Sequence, residues 1–195
     1  MRSLIRFSVL ALAMASCRTQ PPVPALRGPD GRVITPPPKA SEADEQNAAK
    51  LLAEAEATSD RTAAEAKRDQ IIELYPATVV TARILYDRGR AAEERGEVMP
   101  AIDSFEKLLF FRPSYEHADE VRERYAGLLV RSERFEDAAN MLRALYKGAK
   151  SNVDKERLGV ALAGALERAQ KLAAAVEIHV ALHNLPELSA AARAQ

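Results

Sequence analysis

Apolar side chains recur three and four residues apart in eight stretches of the chain, each bounded by polar or turn-forming residues, a spacing that predicts helices rather than strands. The expected helices cover about 42–57, 61–75, 79–95, 98–112, 115–132, 135–147, 152–168 and 171–184. They pair into four hairpins, an all-α arrangement. Ser41 with Asp44, and Ser151 with Asp154, carry the capping-box pattern that opens a helix. The hairpins repeat. Ala64, Ala101, Ala138 and Ala174 stand 37, 37 and 36 residues apart, and Pro76, Pro113 and Pro186 keep the register at 37 and 73. Such a period marks stacked supersecondary units, none of which can bury its apolar face alone. The four alanines are therefore expected to be buried at helix crossings. An irregular alanine-rich bundle is the alternative.

The clearest copy runs from Ala82 to Pro113, with Leu85, Gly89, Gly96, Ala101, Phe105 and Pro113 as its signature residues. Gly89 and Ala101 let two helices approach closely, Gly96 permits the turn between them, Phe105 fills the space behind, and Pro113 stops the second helix. In these residues the copy resembles the tetratricopeptide repeat (TPR), a helix-turn-helix unit of about 34 residues. A second copy from Asp119 offers Tyr125, Ala126, Phe135, Ala138, Leu142 and Leu145, with Gly148 as its stop. A third has Leu158, Leu162, Ala174, Ile178, Ala181 and Pro186, and a leading copy has Leu52, Ala64, Ile71 and Pro76. Arg88 and Arg68 depart from the family by standing where it is apolar, and the spacing is two to three residues longer. The resemblance implies a TPR-like, right-handed helix-hairpin solenoid.

The amino terminus supplies an address. Arg2 and Arg6, the apolar run from Phe7 to Ala13, and small Ala15 and Ser16 form the three parts of a signal peptide, too short to span a bilayer. Ala15-Ser16-Cys17 resembles the lipobox of bacterial lipoproteins, which implies cleavage before Cys17 and acylation of it. An ordinary secretory signal ending at a cysteine, or a short uncleaved anchor, is the alternative. Cys17 is the only cysteine, so no internal disulfide can form in an oxidising envelope. Between Pro21 and Pro38 lie seven of the eleven prolines, a composition that reads as an extended tether. The chain thus divides into a signal peptide at 1–16, a lipidated Cys17 and Pro-rich linker at 17–40, a repeat domain at 41–186, and 187–195, the start of a capping helix or of further sequence.

Charge narrows the partners. The chain has 28 basic and 28 acidic side chains, and loss of Met1 to Ser16 leaves 26 basic against 28 acidic. That balance argues against nucleic acid, whose binding needs a basic face. No Gly-rich phosphate loop or nucleophile elbow occurs. His179 and His183 share a helix at a spacing that zinc can use, but without a glutamate between them or an evident third ligand they read as a solvated face. No metal, cofactor, small-molecule substrate or catalytic residue is expected.

What remains is a binding surface. The TPR resemblance places Arg83, Tyr86, Arg90, Glu93 and Glu94, and in the next copy Glu120, Glu123, Gly127, Val130 and Arg131, along a concave wall. Arginines beside Tyr86 would suit a carboxylate or an extended peptide; a row of solvated charges is the alternative. Phe110-Phe111 is either a sticky rim or a wedge between units. Signal, lipobox, tether and array together resemble outer-membrane assembly lipoproteins, among them the TPR lipoproteins of the β-barrel assembly machine. That implies a non-enzymatic scaffold anchored by lipid at the periplasmic face of the outer membrane and binding envelope proteins or peptides. The alternative is a regulator of peptidoglycan synthesis, similar to lipoprotein activators of penicillin-binding proteins.

Overall fold

A computed structural model describes residues 37–185. The expected signal peptide, Cys17, most of the Pro-rich linker, Pro186 and 187–195 lie outside them. The described residues form eight helices and no strand: α1 (Glu42–Glu56), α2 (Arg61–Leu74), α3 (Val79–Glu94), α4 (Val98–Phe111), α5 (Ala118–Arg131), α6 (Phe135–Gly148), α7 (Asn152–Arg168) and α8 (Leu172–His183). Helices adjacent in sequence pack on one another, with α1 also reaching α3. This is consistent with an all-α helical repeat.

Local chemistry sets the starts. Ser41 and Asp44 form a complete capping box, the Ser41 hydroxyl accepting from the Asp44 N–H and the Asp44 carboxylate from the Ser41 N–H. Asp60, Thr78 and Ser151 cap α2, α3 and α7 with single side-chain acceptors. The helix from 115 starts later than its apolar pattern suggests. Tyr115 is tucked inward at 8 % exposure by a turn in which its N–H donates to the Arg112 carbonyl (3.0 Å) and the Ala118 N–H donates back to the Tyr115 carbonyl (2.9 Å).

The period is visible in the backbone. α2, α4, α6 and α8 begin at Arg61, Val98, Phe135 and Leu172, each 37 residues after the last. α3, α5 and α7 end in the same turn, with Gly96, Glu133 and Gln170 in the left-handed region at φ 77°, 61° and 59°. The N–H after each donates to a carbonyl five residues back, Glu97 to Ala92, Arg134 to Leu129 and Lys171 to Leu166, at 2.8–2.9 Å. These are Schellman closures, for which glycine is the unstrained residue. Two of the three copies instead carry a side chain there, a conformation costing an L-residue about 1–2 kcal/mol. Glu133→Gly and Gln170→Gly are each expected to stabilise by about 0.5–1 kcal/mol, since the added unfolded-state freedom offsets part of the gain; urea unfolding checks it, and two destabilised variants would refute it.

Uniform spacing corrects one element of the repeat. Ala64, Ala101 and Ala138 are buried, but Ala174 is only half-buried, and Ala175 at 2 % exposure is the crossing alanine. The last interval is 37 like the others, because the α7–α8 turn has the same length as its predecessors. At the α3–α4 crossing, a Cβ on Gly89 would lie 2.4 Å from the Phe105 ring, so only glycine fits. Phe110 is buried and meets Phe111 edge-on at 5.4 Å, with Phe111 packed on the main core: the pair is a wedge.

Two apolar clusters result. The main core runs from α3 to α8 and is centred on Phe105, Leu108, Tyr125, Leu129 and Leu162, all essentially inaccessible. A smaller cluster of Ala48, Ile71 and Ile84 holds α1 and α2 to α3. A polar clasp assists it. The Glu45 carboxylate accepts from the Val79 N–H at the start of α3 (3.0 Å) and from Arg112, which also donates to the Ala77 carbonyl (2.8 Å).

Candidate functional site

Successive turns of α3 place Tyr86, Arg90, Glu93 and Glu94 along one side, and α5 faces them with Glu120, Glu123 and Gly127. Contacts between the two helices are polar. The Tyr86 hydroxyl donates to Glu120 Oε1 (3.0 Å), and Arg124 bridges the helices, its Nε on Glu120 (2.9 Å) and its other nitrogen on Glu93 (2.9 Å). Those donors, Arg124 above all, hold the Glu120 carboxyl below the usual carboxylate range and keep it charged. Glu93, Glu120, Glu123, Arg124 and Gly127 line a depression of about 350 Å³. Its far edge is joined to α7 through an Arg157–Glu123 ion pair.

One end of this surface is aromatic. Tyr86 and His117 stack with centroids 5.6 Å apart, Tyr115 meets them at 5.9 and 5.6 Å, and the Arg90 guanidinium lies 6.0 Å over the Tyr86 ring. Arg90 also pairs with Glu94 (3.1 Å). Burial lifts the Tyr115 hydroxyl above the ordinary tyrosine range, so it stays protonated. Flat rings beside alternating fixed charges can hold an extended peptide by stacking on its side chains and bonding its backbone.

Of the sequence-expected wall, then, Tyr86, Arg90, Glu93, Glu94, Glu120, Glu123 and Gly127 come together. Arg83 lines a separate cleft with α1 and α2, Val130 is partly buried against the main core, and Arg131 is exposed at the end of α5. Sequence reasoning missed Arg124, Tyr115 and His117. The four-residue step from Glu120 to Arg124 was an available signal of an ion pair on one helix face. The aromatic pair was not, because the 112–118 turn carries it and no periodicity covers a turn. His179 lies 3.0 Å from Glu167, and among the described residues no group of three or more His, Cys, Asp or Glu side chains is placed to hold a metal ion. No described helix is long and apolar enough to cross a membrane. Comparison of the chain with protein-family models, curated proteins and solved structures returns no match.

Proposed function

We propose that this chain is a lipid-anchored scaffold of the bacterial cell envelope, attached through Cys17, whose helices stack as four TPR-like hairpins in a solenoid and which binds other envelope proteins along the α3–α5 surface without catalysing a reaction. The observation that carries the binding assignment is the continuous row of aromatic and fixed polar groups from His117 and Tyr86 to Glu93 and Arg124. Arg124 and Glu120 are held by bonds within the protein, so the surface presents its charges in set positions and loses little side-chain freedom on binding. The 37-residue recurrence of helix starts and turns supports the hairpin stack. The lipobox-like Ala15-Ser16-Cys17 supports the anchor, and the Pro-rich segment supplies reach from a membrane. Outer-membrane assembly is the role this combination fits best.

The test has two arms. Mass spectrometry of the amino-terminal peptide is expected to show acyl groups on Cys17, and Cys17→Ser to release the protein from the membrane fraction; an unmodified Cys17 defeats the anchor. A photo-crosslinker at Glu94 is expected to capture an envelope protein in cells, with a clear loss on Tyr86→Ala with Arg90→Glu. Capture from the opposite face alone, unaffected by those changes, defeats the surface.

A further inference from the structure

The 37-residue register aligns three junctions between successive helix pairs, and one of them is built from different chemistry. At the α4–α5 junction, Ile102, Phe105 and Tyr125 are buried, and the Tyr125 hydroxyl donates to Glu106. At the α6–α7 junction the corresponding Ala139, Leu142 and Leu162 are buried as well. At the α2–α3 junction the same places hold Glu65, Arg68 and Arg88. Arg88 bonds Glu65 (2.8 Å) and Asp69 (2.6 Å), and Arg68 pairs with Glu65. The Arg88–Asp69 bond thus occupies the position of the Tyr125–Glu106 bond, in a junction where the three aligned places are charged.

α2 packs on α3 less extensively than α4 packs on α5 or α6 on α7. A cleft of about 580 Å³ opens there between α1–α2 and α3–α4. Arg61, Arg68, Arg83, Arg88 and Arg95 line it, against the carboxylates of Glu56, Glu65 and Asp87. Asp69 and Glu97 neutralise Arg88 and Arg95 from the edge of the cleft, and Arg68 shares Glu65 with Arg88, so the guanidinium groups open to a ligand are those of Arg61 and Arg83. Arg61 on α2 and Arg83 on α3 are exposed and are in no ion pair with another described residue. Every cationic side chain of the lining is arginine, whose planar fork matches a carboxylate. Leu52 and Pro100 add apolar surface, with the buried Ile84 behind them.

We propose that this cleft is a second binding site, for an acidic peptide segment of a partner protein that combines carboxylates with apolar side chains. A phosphate backbone fits less well, since Glu56 and Asp87 interrupt the positive lining and the apolar patches have no counterpart on it. The site is independent of the α3–α5 surface and of the anchor. Fluorescence anisotropy of the full chain with a labelled alternating glutamate–leucine decapeptide tests it. Binding is expected, weakened by added salt, with Arg61→Glu plus Arg83→Glu raising Kd by about tenfold or more. Both residues are exposed, so circular dichroism is expected to stay unchanged. A charge-matched control, Lys147→Glu plus Lys150→Glu, is expected to bind as the parent does. Absent binding, equal weakening by the control, or preferential capture of a labelled single-stranded oligonucleotide at the same arginines would overturn the proposal.

Discussion

Phe105→Ala is expected to destabilise the protein by about 3–5 kcal/mol, whereas Arg68→Ala, the change at the corresponding place one unit earlier, is expected to cost under about 1 kcal/mol. Phe105 is completely buried, its ring touching the space a Gly89 side chain would need, so truncation removes an aromatic surface and leaves a void that the tightly crossed α3 and α4 cannot collapse into. Arg68 is partly exposed, and its partner Glu65 keeps Arg88 when Arg68 is lost. Guanidinium-induced unfolding followed by circular dichroism measures both. Equal losses would mean that Arg68 is held in a packed core as Phe105 is, and the reading of the first junction as a polar one would fall.

The helical layout was legible because helix formation on one amphipathic face is a local matter. Expected and observed ends differ by one residue at most except at α5, where a tertiary contact of Tyr115 overrides the local pattern. Repeat spacing was legible too, but single-residue matching misled it at its end. Leu172-Ala173-Ala174-Ala175-Val176 offers several alanines, and only packing shows that Ala175 is the one at the crossing. The left-handed turns at Glu133 and Gln170 carry no glycine to betray them, and only their distance from Gly96 connects them.

Site residues were legible in proportion to how far they depend on one helix. Tyr86, Arg90 and Glu93 were placed by the TPR resemblance, whose positions recur along one helix, and they do share a side of α3. Arg124 acts by reaching from α5 to Glu93, a contact across 31 residues that no local pattern encodes. Arg68 and Arg88 stood out in the sequence as departures from an apolar norm. Their meaning needed the structure, which brings both onto Glu65 and shows that the departures compensate one another. Burial raises the Glu65 pKa, and the hydrogen bonds from Arg88 and Arg68 outweigh it, leaving the carboxyl below its ordinary range and the cluster charged.

Rebuilding the first junction as an apolar one, by Glu65→Ile, Arg68→Leu and Arg88→Tyr together, with leucine at 68 because Leu52 stands where Gly89 makes room for Phe105, is expected to stabilise the fold by about 1–3 kcal/mol, because well-packed apolar groups of similar volume commonly outperform a partly buried ion network. The new tyrosine has Asp69 available as its acceptor, as Tyr125 has Glu106. A rise in melting temperature with retained helicity would be the sign, together with merging of the small Ala48–Ile71–Ile84 cluster into the main core, which amide hydrogen exchange on α1 and α2 reports as stronger protection. The same triple variant is expected to lose the glutamate–leucine peptide, since closing α2 on α3 removes the cleft while leaving Arg61 and Arg83 in place. Each single substitution should instead destabilise, for it strands charged partners against an apolar group. Greater stability with peptide binding intact would show that the polar junction does not shape the site. Lower stability would show that α2 and α3 are held apart by something other than Glu65, Arg68 and Arg88. The expected combination, a more stable fold that no longer binds, would mean that this protein forgoes an apolar seal at one junction in order to keep a ligand cleft open there.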